Sequence, residues 1–427
     1  MSRYLIISSD CHAGLPTREY RSYLESKYHA RFDESVRQNE AMRAELVKAG
    51  MSNPAFAKKW YEENEEGLRG GWDAARRDKE LDADGVAGEV LFSDADAVTG
   101  QASAPFGAGL GMSGDSDPEL VLAGARAHNR WLAELCAESP QRRAGLALLP
   151  SILHDPELAV AEVRWAKEAG LRGGVLIPAM WGSCAPYHDP RYEPVWATCE
   201  ELGMPIHTHS GPASRDEYGG LVGLYITEVR WWCARPLWFL LWSGVFERHP
   251  RLKFAVTEGS CHWVPELLYN MDQVVLRETA GAQKLGPNLT KLSLLPSEYF
   301  DRNCFIGASS TKRREIALRY EIGVGNMMWG NDFPHPEGTW PHTKDWLRRT
   351  FCDIPAQETR QMLGTTAAEV FNFDTEALAP LVERIGPTPA DLGQEEAQDL
   401  EKWRAAEEVG RHWLTGKEPI PTGPRAA

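Results

Sequence analysis

Short apolar runs recur along the chain, separated by stretches with helical patterning. They fall at residues 4–10, 88–92, 144–149, 173–177, 205–209, 252–257, 303–307 and 327–330. Runs of this length bounded by turn residues predict strands, and continuous apolarity predicts burial on both faces. Eight strands, most followed by a helix, match the count of a (β/α)8 barrel. Between the fourth and fifth, Asp189-Pro190 opens a helix, with Asp as N-cap and Pro at the first position. An open doubly wound sheet is the competing arrangement, but no glycine-rich dinucleotide fingerprint follows the first strand. The pattern predicts an α/β chain with a TIM-type barrel over residues 1–375.

Two regions fall outside the eight-fold repeat. Residues 16–82 carry charged helical patterns between strands one and two, which predicts a helical insertion over the catalytic end of the barrel. Residues 376–427 read as a C-terminal helical arm, with a charged helix near 395–413 before a Pro/Gly-rich end.

Composition narrows the class. Of 427 residues, 43% are hydrophobic and 25% charged, as in an ordinary folded protein. The most apolar stretch, 231–246, is broken by Arg235, Pro236 and Ser243, short of the roughly 18–20 residues a membrane span needs. The first ten residues carry too short an apolar segment for a secretory signal, so a cytoplasmic protein is expected. Net charge is −15 with no Lys/Arg block, which argues against nucleic acid and membrane partners; a small-molecule substrate is expected. Eight scattered cysteines without C-x-x-C pairs point to reduced thiols.

Chemistry in such a barrel sits at the C-terminal strand ends. Strand one ends in Asp10-Cys11-His12, where alternation puts Asp10 and His12 on one face. A carboxylate and an imidazole so spaced suit Zn²⁺, Mn²⁺ or Fe²⁺. Strand five ends in His207-Thr208-His209 with the same period. A lone histidine there reads as structural, whereas two spaced by two read as ligands. Strand six ends at Glu258, with His262 beyond it; a salt bridge is the plain alternative for Glu258. Strand eight leads into Asp332 and His335, where a carboxylate could take a proton from metal-bound water. His335 could equally cap backbone. Arg230 and Trp340 are candidates for binding substrate, against the plainer readings that Arg230 packs by its stem on a helix and Trp340 packs beneath the insertion. Four strands thus deliver ligand-type side chains at one barrel end.

These residues resemble the amidohydrolase-related branch of the amidohydrolase superfamily. The resemblance rests on Ser9-Asp-Cys-His12, Pro205-Ile-His-Thr-His-Ser-Gly211, Thr257-Glu-Gly259 with Trp263-Val-Pro265, and Gly330-Asn-Asp-Phe-Pro-His-Pro-Glu-Gly-Thr-Trp-Pro341. Leu81-Asp-Ala-Asp-Gly-Val86, Ala127-His-Asn-Arg-Trp131 and Pro140-Gln-Arg-Arg-Ala-Gly-Leu146 add secondary support. It implies a divalent metal, zinc foremost and sometimes manganese, held by Asp10, His12, His209 and Asp332. Family members are often homodimers. Decarboxylases of this branch keep a histidine where this chain has Glu258, and strand four carries no lysine to bridge two metals.

The expectation is therefore a metal-dependent hydrolase in which Asp332 moves the proton of metal-activated water and His262 or His335 protonates the leaving group. The surplus of His207, Glu258, His262 and His335 raises an alternative, a dinuclear Fe or Fe/Mn non-haem monooxygenase. A non-oxidative decarboxylase ranks below both, and a non-enzymatic barrel last.

Overall fold

In a computed structural model, the described residues are 3–48, 54–96, 101–214, 217–218, 221–277, 280–284 and 292–394. Eight strands pair in parallel and in chain order. They are β1 (Ile7–His12), β2 (Gly88–Phe92), β3 (Arg143–Leu148), β4 (Gly174–Leu176), β5 (Ile206–His209), β6 (Phe254–Thr257), β7 (Cys304–Ser309) and β8 (Met327–Gly330). β8 returns to β1 just past its end. The His12 N–H donates to the Phe333 carbonyl at 2.7 Å, and the Asp332 N–H to the Asp10 carbonyl at 2.9 Å. The sheet is thereby a nearly closed (β/α)8 barrel, as the apolar pattern predicts.

Side-chain alternation divides the core into two layers. Ile7, Val90, Phe92, Leu146, Leu148, Leu176, Ala255 and Met328 fill the barrel. Phe371, Phe373, Leu378 and Val382 close it at the N-terminal end of the strands. Ile206, Phe254, Val256, Ile306 and Trp329 point outward to the helices. Each such aliphatic or aromatic side chain taken fully from water contributes about 1.5–3 kcal/mol.

The helices follow from local signals. α1 (His29–Lys48), α2 (Pro54–Leu68) and α3 (Ala74–Asp84) lie between β1 and β2. The Asp73 carboxylate caps α3 by accepting the Arg76 N–H at 2.9 Å. Gly85, at φ +80°, ends the helix in the left-handed region and turns the chain into β2. α4 (Pro118–Glu138) and α5 (Pro156–Glu168) each start with an Asp cap and Pro. α6 (Glu193–Leu202) follows a 3₁₀ turn, Pro190–Tyr192, capped by Asp189. α7 (Val222–Trp242) follows β5. The helix Thr375–Ile385 packs Leu378 and Val382 beneath the barrel. The charged helix expected near 395–413 lies outside the described residues. No helix among the described residues is long and apolar enough to cross a membrane.

One irregularity places the site. Between Ser8 and Cys11, β1 advances three residues while β2 advances two, from Glu89 to Leu91. This one-residue bulge reverses the alternation. Ile7 faces the barrel interior, and so, beyond the bulge, do Asp10 and His12, while Cys11 packs outward.

Candidate metal centre

Asp10 and His12 of β1, His209 of β5, and Asp332 and His335 after β8 meet at the C-terminal mouth, all buried. The His209 Nε2 lies 3.2 Å from Asp10 Oδ1. The His12 Nε2 lies 3.4 Å from Asp10 Oδ1 and 3.2 Å from Asp332 Oδ1. The His335 Nδ1 stands 3.0 Å from Asp332 Oδ1, and its ring stacks on that of His12 with centroids 3.8 Å apart. Gly330 makes this approach possible. A Cβ there would sit 2.7 Å from the Asp10 Cβ.

The protonation pattern follows from the backbone. The His12 Nδ1–H donates to the Ser93 carbonyl at 2.7 Å, the His209 Nδ1–H to Ser210 at 2.7 Å, and the His335 Nε2–H to Asp94 at 2.8 Å. A carbonyl only accepts, so each of these nitrogens carries a hydrogen. In the neutral ring the opposite nitrogen is a bare lone pair facing carboxylate oxygens. The His12 Nε2 and Asp332 Oδ1 are buried without a hydrogen-bond partner. Lone pairs crowded in this way repel unless a cation lies among them, and an imidazole anchored through its other nitrogen is how proteins orient metal ligands. Asp10, His12 and His209 could hold a divalent ion, as could His12, Asp332 and His335. Two carboxylates and two or three imidazoles suit zinc or manganese.

Without an ion, protons take that place: burial works against charging His12, His209 and His335, and the facing carboxylates outweigh it, raising all three. Burial works against the Asp10 carboxylate, yet His209 and His12 hold it well below the usual range. Burial likewise opposes ionised Asp332, and His335 with His12 outweighs it. At the rim, Glu258 has its Oε2 3.5 Å from His209 Nδ1. Burial, reinforced by the negative charge of Asp332, pushes Glu258 up to about 8. Glu258, Asp332 and Glu337 form a third group of convergent oxygens.

Other candidates from the sequence lie elsewhere. His207 faces inward but lower in the barrel, stacked on Phe371 with its Nε2–H donating to the Gly173 carbonyl at 3.2 Å. Burial depresses its pKa to about 3, so it is neutral. His262 is exposed at the start of the helix Val264–Leu276, and Arg230 is exposed on α7. Trp340 is buried under the insertion, its Nε1–H donating to Glu80 at 3.0 Å and its ring edge-on to Phe333 and Trp60.

The sequence reading missed two residues. Ser309, at the end of β7, donates its hydroxyl hydrogen to Asp10 Oδ2. Asp94 holds His335 through its carbonyl and accepts the Ala104 and Leu110 N–H groups at 2.9 and 2.6 Å. Its signal was present: Asp94 follows β2 by two residues as Asp332 follows β8, and both adopt positive φ, +63° and +59°.

A family profile described as Amidohydrolase matches residues 10–373, from within β1 past β8. The chain belongs to the amidohydrolase family. This amidohydrolase-family chain is 28% identical over 278 residues to the γ-resorcylate decarboxylase of Rhodococcus jostii RHA1, spanning 60% of this chain and 78% of that one. It is 27% identical over 278 residues to the same enzyme of Rhizobium sp. MTP-10005, spanning 60% and 79%. Among solved structures, 5-carboxyvanillate decarboxylase from Sphingomonas paucimobilis shares the fold with a TM-score of 0.61 at 20% identity, over 87% of this chain and 100% of the other. Dihydroxybenzoic acid decarboxylase from Polaromonas sp. JS666, with bound manganese and 2-nitroresorcinol, gives 0.58 at 19% identity, over 87% and 97%.

These relatives overturn the hydrolase expectation and, with it, the monooxygenase alternative: they are decarboxylases, whose reaction is loss of a carboxylate. The physical source of the error is the apparent ligand surplus. His207 sits below the cluster and His262 outside it, so much of the surplus that argued for a second metal disappears. Glu258, read as a departure from a decarboxylase pattern, stands in a chain whose relatives are decarboxylases.

Proposed function

We propose that this amidohydrolase-family protein is a divalent-metal-dependent, non-oxidative decarboxylase of a small hydroxylated aromatic acid. The reading is carried by the imidazole nitrogens converging on Asp10 and Asp332 in a chain whose relatives are decarboxylases. Asp10, His12, His209 and Asp332 would hold one ion, zinc or manganese, the latter being what the Polaromonas structure contains. The bound ion supplies positive charge that orients and stabilises the anionic substrate.

The reaction places a proton on the ring carbon bearing the carboxylate. The carbon–carbon bond then breaks, its electron pair returns to the ring, and carbon dioxide leaves. Atoms and charge balance with one proton taken up and no redox change. Asp332 is the proton carrier in this reading, delivering from its carboxyl oxygen to the ring carbon. His335, 3.0 Å away and held by the Asp94 carbonyl, steadies the charge on Asp332 and resupplies the proton. Burial of the cluster keeps water from competing for that proton.

The test is carbon dioxide release from metal-replete protein supplied with 2,6-dihydroxybenzoate, 5-carboxyvanillate and related hydroxybenzoates. Stoichiometric carbon dioxide and decarboxylated phenol, without oxygen uptake, are expected. Absence of carbon dioxide release across that panel would refute the proposal.

A further inference from the structure

Arg77 lies on α3, outside the barrel and wholly buried, and its guanidinium joins four segments of chain. Nε and Nη2 donate to the Glu89 carboxylate of β2 at 2.7–2.9 Å. Nη1 donates to the His12 carbonyl at 2.9 Å and to the Gly70 carbonyl, just after α2, at 2.8 Å. The guanidinium carbon stands 4.9 Å from the centre of the Phe333 ring, within cation–π range. Phe333 follows Asp332 directly, and its own carbonyl accepts the His12 N–H. One side chain therefore grips the backbone of His12 and the ring adjoining Asp332.

A buried ion pair is a poor source of stability, since an apolar pair of the same volume avoids the desolvation cost. Its usefulness here is geometric. A guanidinium presents five N–H donors in a fixed plane, enough to satisfy a carboxylate and two carbonyls together, whereas an ammonium is a point charge on a flexible stem. We propose that Arg77 is a positioning residue that sets the separation of His12 and Asp332, and thereby how tightly the site holds its ion and which ion it prefers. This rests on the reading of Asp10, His12, His209 and Asp332 as the ligand set.

The experiment compares wild type, Arg77→Lys and Asp10→Ala for Mn²⁺ dissociation constant, for the Mn:Zn ratio loaded from an equimolar mixture, and for thermal melting without metal. Arg77→Lys is expected to weaken Mn²⁺ by about 10–100-fold, the usual effect of losing a group that orients a ligand, and to change the Mn:Zn ratio. A merely structural role would lower the melting temperature and leave the ratio alone. If Asp10→Ala loses the metal while Arg77→Lys binds with wild-type affinity and ratio, the role of Arg77 is overturned. If Asp10→Ala still binds one ion at wild-type affinity, the ligand set itself is wrong. Should Arg77→Lys not fold, Glu89→Gln keeps the shape and removes the carboxylate charge that anchors the guanidinium: weaker binding with a changed Mn:Zn ratio supports the proposal and unchanged binding overturns it.

Discussion

Gly330→Ala tests the seam on which the site is built. The added Cβ would lie 2.7 Å from the Asp10 Cβ and 3.1 Å from its backbone nitrogen, where ordinary contact begins near 3.4 Å. The two strands must part by 0.7 Å or more, the difference between 3.4 and 2.7 Å. Asp10 has nowhere to retreat, being fully buried and tied to Asp332 by the 2.9 Å hydrogen bond that joins β1 to the segment after β8. Metal–ligand distances tolerate about 0.2 Å, so the shift exceeds the tolerance several-fold. Displacements approaching 1 Å near reacting groups cost about 10²-fold in rate, and the overpacking should lower stability by about 1–3 kcal/mol. Metal per chain after dialysis and carbon dioxide release are the assays, with Gly111→Ala, whose Cβ would have no neighbour within 4 Å, as the neutral control. Gly330→Ala protein that keeps one ion per chain and wild-type turnover would refute the placement of the metal between β1 and β8.

Asp332→Asn should leave a folded protein whose carbon dioxide release falls by about 10²–10⁴-fold, the usual worth of a positioned acid–base group; turnover near wild type would remove Asp332 from proton transfer. His207→Leu should keep the full complement of metal, because His207 lies below the cluster with one ring nitrogen spent on Gly173; metal loss in elemental analysis would contradict that placement. Asp84, buried and accepting the Thr343 hydroxyl at 2.6 Å, is pushed by burial up to about 7. An acid whose folded pKa lies above its unfolded value favours folding while protonated, so stability should fall as pH rises from about 4 to about 7. Three pKa units correspond to about 4 kcal/mol. Asp84→Asn should therefore raise the melting temperature relative to wild type more at pH 8 than at pH 5, and an equal difference at both would count against the assignment.

The barrel was legible because its strands are buried on both faces and read as short apolar runs. β2 and β8 match their predicted limits, whereas β1 spans Ile7–His12 rather than 4–10. The error is physical: the mouth of the barrel carries polar residues inside a strand, and the bulge after Ser8 breaks the pattern that would mark its end. Period-two spacing found Asp10 with His12, and it also grouped His207 with His209. Two residues along a strand are about 6.6 Å, enough to move His207 from the mouth into the packed interior beside Phe371. Alternation specifies a face and leaves depth open. For Trp340 the sequence left open pocket lining and packing beneath the insertion, since its partner Glu80 is 260 residues away and no local pattern links them.

The reaction was less legible than the ligands, because the same carboxylates and imidazoles serve activation of water and delivery of a proton to carbon. What surrounds the cluster is set by long-range contacts that no local pattern marks. Thr17 donates its N–H to the Gln101 carbonyl at 2.6 Å, laying the start of the 101–114 segment beside the end of β1. Asp94 then fixes that segment at Ala104 and Leu110 while its carbonyl orients His335 against Asp332. One residue thus ties the 101–114 segment through its carboxylate and orients the imidazole beside Asp332 through its carbonyl. A side chain added at Gly109 would meet the Asp94 carboxylate at 2.0 Å, so that carboxylate could not keep its hydrogen bonds to Ala104 and Leu110 without a shift. Asp94 and Gly109 thus shape the surroundings of His335 although neither belongs to the carboxylate–imidazole cluster.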